Sequence, residues 1–388
     1  ICACLVGSEM CIRDSFMTVL GVAGCTALLL IGFGIQDSIL PIVDKQSGQL
    51  THNDLTISLS DEKALTMEQG LADTLDSSSA VHSWGAFYTK STTLYNEEGG
   101  SADVSIVGAE DDARMTEYFT FRTRVGHDPI PFEEDSVILT EKTALNLELS
   151  VGDTFYVEAA DGSRVPLTLT GITENYMFTR LYLSNAQLQA LLGSTPEWNT
   201  VYGLTGCTTE AEYNALRTKL LGCNYVSSVS FTEDTTSMFG SLIGSLNYVV
   251  VLIIVCAAAL AAVVLYNLIS VNLAERKKEL ATIKVLGFYD KEVYRYIFRE
   301  IELLSLIGSG VGLLLGVPLH RFIVLTVEMD QLMFIRTIAP HSYLLAVALT
   351  MLFTFVVCFA MRRHVRHISM VESLSLIHIS EPTRHAQI

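Results

Sequence analysis

The sequence contains no Gly-Lys pair, so it holds no Gly-x4-Gly-Lys-Ser/Thr loop, and a phosphate-cradling ATPase site of that kind is excluded within this chain. It has no His-Glu-x-x-His either. His52, His82 and His127 are scattered without ligand spacing, which leaves no metal motif. Basic residues are scarce, with 25 Lys and Arg against 42 Asp and Glu and a net charge of −17. So acidic a chain lacks the basic face that nucleic-acid binding requires. Low-complexity segments and short internal repeats are also absent. Two patterns that could suggest chemistry have blander readings. Ser60-x-x-Lys63 is a spacing that arises often by chance and reads as surface loop, and the acidic triplets 110–112 and 133–135 read as solvated faces.

What the chain does have is apolar residues, half of the total, and they are partitioned. Between residues 37 and 242 there are 30 Asp and Glu but 11 Lys and Arg, a balance of −19. All the net acidity therefore sits in one region, which reads as water-exposed. Phe16–Ile35 is a 20-residue run without a charge, the length of one bilayer crossing. No ionised side chain occurs from Thr235 to Ala274, and further apolar runs cover Leu303–Leu319 and Tyr343–Met361.

The two ends are related to each other. In one permitted codon choice, the DNA for Leu374–Arg384 reads on its opposite strand as Leu5–Ser15, and the match extends to residues 1–15 and 374–388 in full. Both ends resemble translated sequencing-adapter DNA and are set aside from fold reasoning. The remainder, 16–373, is expected to be a fragment of a longer gene.

The expected fold is an α-helical membrane protein with four transmembrane helices and an α+β extracytoplasmic domain inserted between helices 1 and 2. The boundaries are 1–15 adapter, 16–36 helix 1, 37–242 extracytoplasmic domain, 243–274 helix 2, 275–299 cytoplasmic coupling region, 300–327 helix 3, 328–342 outer loop, 343–361 helix 4, 362–373 cytoplasmic tail and 374–388 adapter. Lys and Arg cluster in 276–299 and 362–366, which places both segments in the cytoplasm and the acidic region outside. Within that region, 54–60 and 101–108 alternate like half-buried strands. Residues 152–172 read as a hairpin about Asp161-Gly162, and 210–222 as a helix. Cys25, Cys256 and Cys358 lie in apolar runs. Cys207 and Cys223 are a candidate disulfide or two core thiols.

Three stretches carry more specific information. In 272–305 a helix-forming segment with Leu280, Ile283 and Leu286 on one face ends at Gly287, and Asp290 can cap the next helix. Such an elbow lies on anionic lipid or docks into a partner's groove. Gly308, Gly312 and Gly316 stand four apart, which fits close helix packing. Residues 135–184 run from a strand through Thr140-Glu141-Lys142 and a Val151-Gly152-Asp153 turn to Gly171-Ile172.

Together with Glu275-Arg276-Lys277-Lys278-Glu279, Lys284-Val285-Leu286-Gly287, Glu292-Val293 and Glu300, these stretches resemble the FtsX-like permease family of ABC transporters, which includes MacB-type exporters. The resemblance implies that the elbow is a coupling helix inserted into a cytoplasmic ABC ATPase. Its coupling set would be Glu275, Arg276, Lys278, Glu279, Leu280, Ile283, Lys284, Leu286, Gly287 and Phe288. It further implies a non-catalytic permease with no cofactor of its own, ATP being bound by the partner. The expected place is the bacterial plasma membrane, as a multi-pass protein among membrane lipid, with a second permease unit as homodimer or fused half. Because the spans hold almost no polar pathway, the expected work is mechanical export or extraction of lipid, lipoprotein or peptide. The alternative is a transmembrane relay that controls a cell-wall hydrolase or senses an antimicrobial peptide.

Overall fold

The computed structural model describes residues 2–67, 70–159, 162–275, 289–329 and 331–366. Two units emerge: a helical one built from Ile1–Ser38, Leu246–Thr326 and Arg336–Ile388, and a β-rich one built from Ile39–Ser245 and Val327–Ile335.

In the helical unit, long uncharged runs have no water to bond their backbones and so become helices. These are α1 (Cys2–Ile39) and three later helices, Thr232–Glu275, Asp290–Val327 and Pro340–Arg366. Among the described residues, three helical stretches are long and apolar enough to cross a membrane: Ser15–Leu50, Phe298–Val327 and Pro340–Ala360. The second expected span contributes a shorter apolar stretch among the described residues, Val251–Asn267. The backbone helix of α1 continues back to Cys2, through the segment set aside above, while its span begins at Ser15.

The first span is buried over 56% of its apolar window, against 33% and 28% for the two C-terminal spans, so α1 is the most enclosed of these three. Lipid is as apolar as leucine, so helices in it associate through close packing and hydrogen bonds rather than through hydrophobic burial. Both are present on α1. Thr26 Oγ1 lies 3.1 Å from Thr350 Oγ1, and Ser38 Oγ lies 3.1 Å from His320 Nε2. Gly308, Gly312 and Gly316 all face α1: an added Cβ would meet Val22 Cβ at 2.8 Å, Ala23 O at 2.6 Å and Leu30 Cδ2 at 2.9 Å respectively. Backbone has come against backbone along that seam. Asp37 accepts a 2.9 Å bond from Ala339 N at the start of the last helix, where four amide groups lack intrahelical partners.

The β-rich unit begins with α2 (Ile42–Lys45) and a π-helical turn, Gln46–Leu50. Ten strands follow, interleaved with short helices: β1 (Leu55–Leu59), α3 (Lys63–Thr66), α4 (Leu71–Asp76), β2 (Val81–Tyr95), β3 (Ser101–Ala109), α5 (Asp112–Tyr118), β4 (Val137–Thr140), α6 (Glu141–Asn146), β5 (Thr154–Glu158), β6 (Arg164–Thr168), β7 (Gly171–Thr173), β8 (Arg180–Leu183), α7 (Asn185–Leu192), β9 (Thr200–Thr205), α8 (Glu210–Leu221) and β10 (Val226–Phe231). The helices of the other unit that come after α8 are then α9 (Thr232–Glu275), α10 (Asp290–Val327) and α11 (Pro340–Arg366). The sheet order is β10-β1-β9-β2-β3-β8-β4-β7, with the β5–β6 hairpin attached to the end of β2. Pairings are antiparallel except β3–β8 and β4–β7.

Its middle strands are covered on both faces. Val104 and Ile106 of β3, Val137 and Leu139 of β4, and Leu181 and Leu183 of β8 enter one core with α6 and α7. Their neighbours Val107, Ile138 and Tyr182 enter another, with Phe87, Tyr118, Phe119 and Tyr202. Phe87 meets Tyr202 at 4.7 Å between centroids and Tyr118 edge-on at 5.6 Å, the geometry that ring quadrupoles prefer. A third cluster gathers β1, β10, α4 and α8 around Leu55, Ile57, Leu216 and Phe231. The hairpin expected about residues 161 and 162 is β5–β6, whose tip lies partly outside the described residues. The Val151-Gly152-Asp153 turn places Gly152 at φ +99°, a conformation that a side chain would strain.

The α8 helix starts on a reciprocal cap. Thr209 Oγ1 accepts from Glu212 N, while the Glu212 carboxylate accepts from Thr209 N at 3.1 Å and Thr208 N at 2.9 Å. Those backbone bonds hold the Glu212 carboxyl below the usual carboxylate range.

The glycine seam and the helix cap can each be tested by substitution. Gly312→Leu is expected to cost the helical unit about 1–3 kcal/mol or more by overpacking against α1, read as loss of properly assembled protein after detergent extraction. Gly310→Ala, which would meet nothing within 4 Å, should be neutral. Thr209→Ala should destabilise the β-rich unit by about 1 kcal/mol in chemical denaturation. Because Glu212 titrates lower folded than unfolded, the cap's contribution is complete above the unfolded carboxylate range and is lost as pH falls through the folded value; Glu212→Gln should flatten that acid limb of the stability profile.

Candidate functional site

Loop 174–178 is a connection that runs through the interior. Glu174, Asn175, Tyr176 and Met177 are all buried, so their polar groups must be bonded inside the protein. Much of that bonding comes from the turn that follows α1. Gln46 Oε1 accepts from Tyr176 N at 2.9 Å and Met177 N at 3.2 Å, while its Nε2 donates to Asn175 Oδ1 at 2.8 Å and Thr51 Oγ1 at 2.9 Å. One amide side chain thus satisfies two backbone donors and one side-chain acceptor of the loop. Asn175 in turn donates to the carbonyls of Met177 and Phe178, holding Phe178 at φ +65°.

Glu174, with no exposed side-chain surface, accepts from Arg122 Nε at 2.7 Å and from the Tyr176 hydroxyl. Arg122 also donates to Gln49 Oε1 at 2.9 Å, so two residues of the turn 46–50 grip the same cluster. Burial first, and the bond to Glu174 second, push the Tyr176 phenol well above its ordinary range, so it stays a donor at any physiological pH. Beside them, Arg124 makes a two-pronged bond to Glu141 at 2.8 and 2.9 Å, a geometry that fixes orientation as well as charge.

The segment joining α10 to α11 reaches the same loop. Its residues Val327–Ile335 belong to the β-rich unit. Met333 N donates to Tyr176 O and Phe178 N donates to Gln331 O, both at 2.9 Å, around a Met177–Leu332 bridge. Loop 174–178 therefore receives the chain that leaves α1 and the chain that links the last two helices. No sequence motif marks Gln46, Glu174 or Asn175; their roles exist only once three distant segments have met.

The residues singled out by sequence are distributed differently. Gly308, Gly312 and Gly316 lie together in the α1 seam. Glu275 ends α9, and Arg276, Lys278, Glu279, Leu280, Ile283, Lys284, Leu286, Gly287 and Phe288 lie outside the described residues. Cys207 and Cys223 are free thiols rather than a bonded pair. Both contribute to the cluster around α8, with the Cys223 thiol turned toward Thr74 Oγ1 and the Lys219 carbonyl. Cys207 lines a polar cavity with His82, Glu212 and Lys219, but burial pushes its thiol up, which makes it a poor nucleophile. Among the described residues no three His, Cys, Asp or Glu side chains are grouped to hold a metal.

The MacB-like periplasmic core domain family matches residues 16–218, more than half of the chain, and the FtsX-like permease C-terminal family matches 251–370. Among solved structures, the chain is similar to the periplasmic region of MacB from Actinobacillus actinomycetemcomitans, at 14% identity over 49% of this chain and 94% of that one, with a TM-score of 0.31. It is also similar to the extracellular domain of the ABC-type transporter YknZ from Gram-positive bacteria, at 14% identity over 46% and 99%, with a TM-score of 0.30. No curated protein matches the chain. The family matches, one over the first apolar helix and most of the sheet and the other over the later helices, carry the assignment: the chain belongs to the FtsX/MacB-type family of ABC transporter permeases.

Proposed function

We propose that this chain is a permease unit that couples ATP hydrolysis on a separate cytoplasmic ABC ATPase to mechanical export or extraction of lipid, lipoprotein or peptide across or from a bacterial plasma membrane. In this reading α9 is a fourth span, the sheet lies outside, and residues 275–299 form the cytoplasmic elbow that meets the ATPase. Its sequence offers Leu280, Ile283 and Leu286 as an apolar stripe and a basic rim beside it. The chain needs no cofactor of its own, ATP being held by the partner. A second permease unit, as an identical copy or a fused half, completes the assembly among membrane lipids.

The observation that carries this reading is the convergence on loop 174–178. Gln46, four residues past α2's first residue, and residues 331–333, just past α10, are bonded to one buried loop. Movement of a helix is transmitted to a sheet only through contacts that do not yield, and fully bonded buried polar groups are costly to separate. A solute channel would need a polar path along its helices. The described spans instead present small residues and hydroxyls bonded to one another, such as Thr26 to Thr350.

Leu280→Asp and Leu286→Asp should each abolish co-purification of the ATPase from detergent extracts while leaving the chain in the membrane; retention of the ATPase would sink the coupling assignment. In proteoliposomes carrying the complete complex, ATP should drive movement of a labelled lipid or peptide. Nucleotide turnover with no such movement would point to the signalling relay.

A further inference from the structure

We infer that residues 327–335 are a locked tether, held shut by the Lys142–Glu328 ion pair, which makes the link between α10 and α11 move with α6 and loop 174–178. The geometry stands by itself; its consequence for coupling rests on the permease reading above.

A short link between two apolar helices ordinarily lies in solvent and is held by its ends alone. The described residues of this one are bonded into the sheet unit at several points. Met333, Phe334 and Ile335 are three consecutive buried apolar residues. Gln331, Leu332 and Met333 meet Tyr176, Met177 and Phe178 through one isolated antiparallel bridge, with an N–H···O bond on each side of it. Edge pairing of this kind takes its strength from the backbone and its register from the side chains.

Glu328 closes the arrangement. One carboxylate oxygen receives Lys142 Nζ at 3.0 Å and the other accepts Phe334 N at 2.9 Å. A single side chain therefore ties the start of the segment to its end and to α6. The pair is nearly dry, with side-chain exposures of 13% for Lys142 and 1% for Glu328. In such a setting a like-charge replacement sets two charges of one sign against each other with little water between them, so the lock should open rather than loosen. Lys142 sits in the first turn of α6, directly after β4, and β4 pairs with both β7 and β8. A pull on Glu328 is thus delivered to the centre of the sheet at β4 and, through Tyr176 and Phe178, to the start of β8.

The test uses the full chain with its ATPase in nanodiscs and follows backbone hydrogen exchange with and without a non-hydrolysable ATP analogue. Lys142→Glu and Glu328→Lys should each speed exchange at Phe178 and Met333 by more than about tenfold, and the double exchange of charges should restore slow exchange. Glu328→Gln, a milder change, should give an intermediate rate. In the wild-type complex, the analogue should alter protection of β4 and β8, and that response should shrink in both single variants and return in the double one. Unchanged exchange in the single variants would overturn the lock. Faster exchange with an intact nucleotide response would overturn the tether's role while leaving the permease reading in place. A wild-type complex with no nucleotide response at all would overturn the permease reading and the tether's role with it.

Discussion

A buried backbone loop must find every hydrogen bond inside the protein, and the arrangement of the β-rich unit around residues 174–178 is the consequence. Water is not there to satisfy the amides of Tyr176 and Met177, so Gln46 does it from the turn after α1. The carbonyl of Tyr176 is satisfied by Met333, from the link between the last two helices. The carboxylate of Glu174 is satisfied by Arg122 and Tyr176. Each of these partners is fixed in turn: Gln46 by Thr51, Arg122 by Gln49, and the 331–333 segment by Glu328 and Lys142. Removing any one partner would strand a polar group in the interior, so the set holds or fails together.

The helical unit solves a different problem with different means. In lipid there is no gain from hiding one apolar surface against another, so contact depends on how near two backbones can come. The glycines at 308, 312 and 316 let α10 lie against Val19, Ala23 and Ala27 of α1. Hydroxyls at Thr26 and Thr350, and the Ser38–His320 pair, add polar contacts that have no competitor in the membrane. The same chain therefore contains a water-exposed unit held by apolar cores and buried charge pairs, and a helical unit held by small residues and hydroxyls. The charge partition visible in composition is the outward sign of those two solvents.

Much of this was legible in sequence where a single period governs a segment. β1, β3, the β5–β6 hairpin and α8 follow alternation, a turn signal or helical spacing, and each forms where its pattern places it. β2 shows no such regularity. Over its 15 residues it pairs first with β9, then with β3 and β5, and its centre, Ala86–Tyr88, is buried on both faces. A strand that changes partners along its length has no constant polar side to read. The dry setting of Glu328 is equally invisible in its own neighbourhood, because its partner Lys142 lies far away in sequence.

Sequence alone determined that the chain divides between lipid and water, which segments become apolar helices, and that no P-loop or zinc motif is present. These are matters of local composition and spacing, decided residue by residue. Only the tertiary structure decided that α1 is more enclosed than the two C-terminal spans, that Cys207 and Cys223 remain separate thiols, and that loop 174–178 joins the segments following α1 and α10. Those outcomes depend on which distant groups come within bonding distance, and a buried polar atom takes whatever partner the fold brings to it.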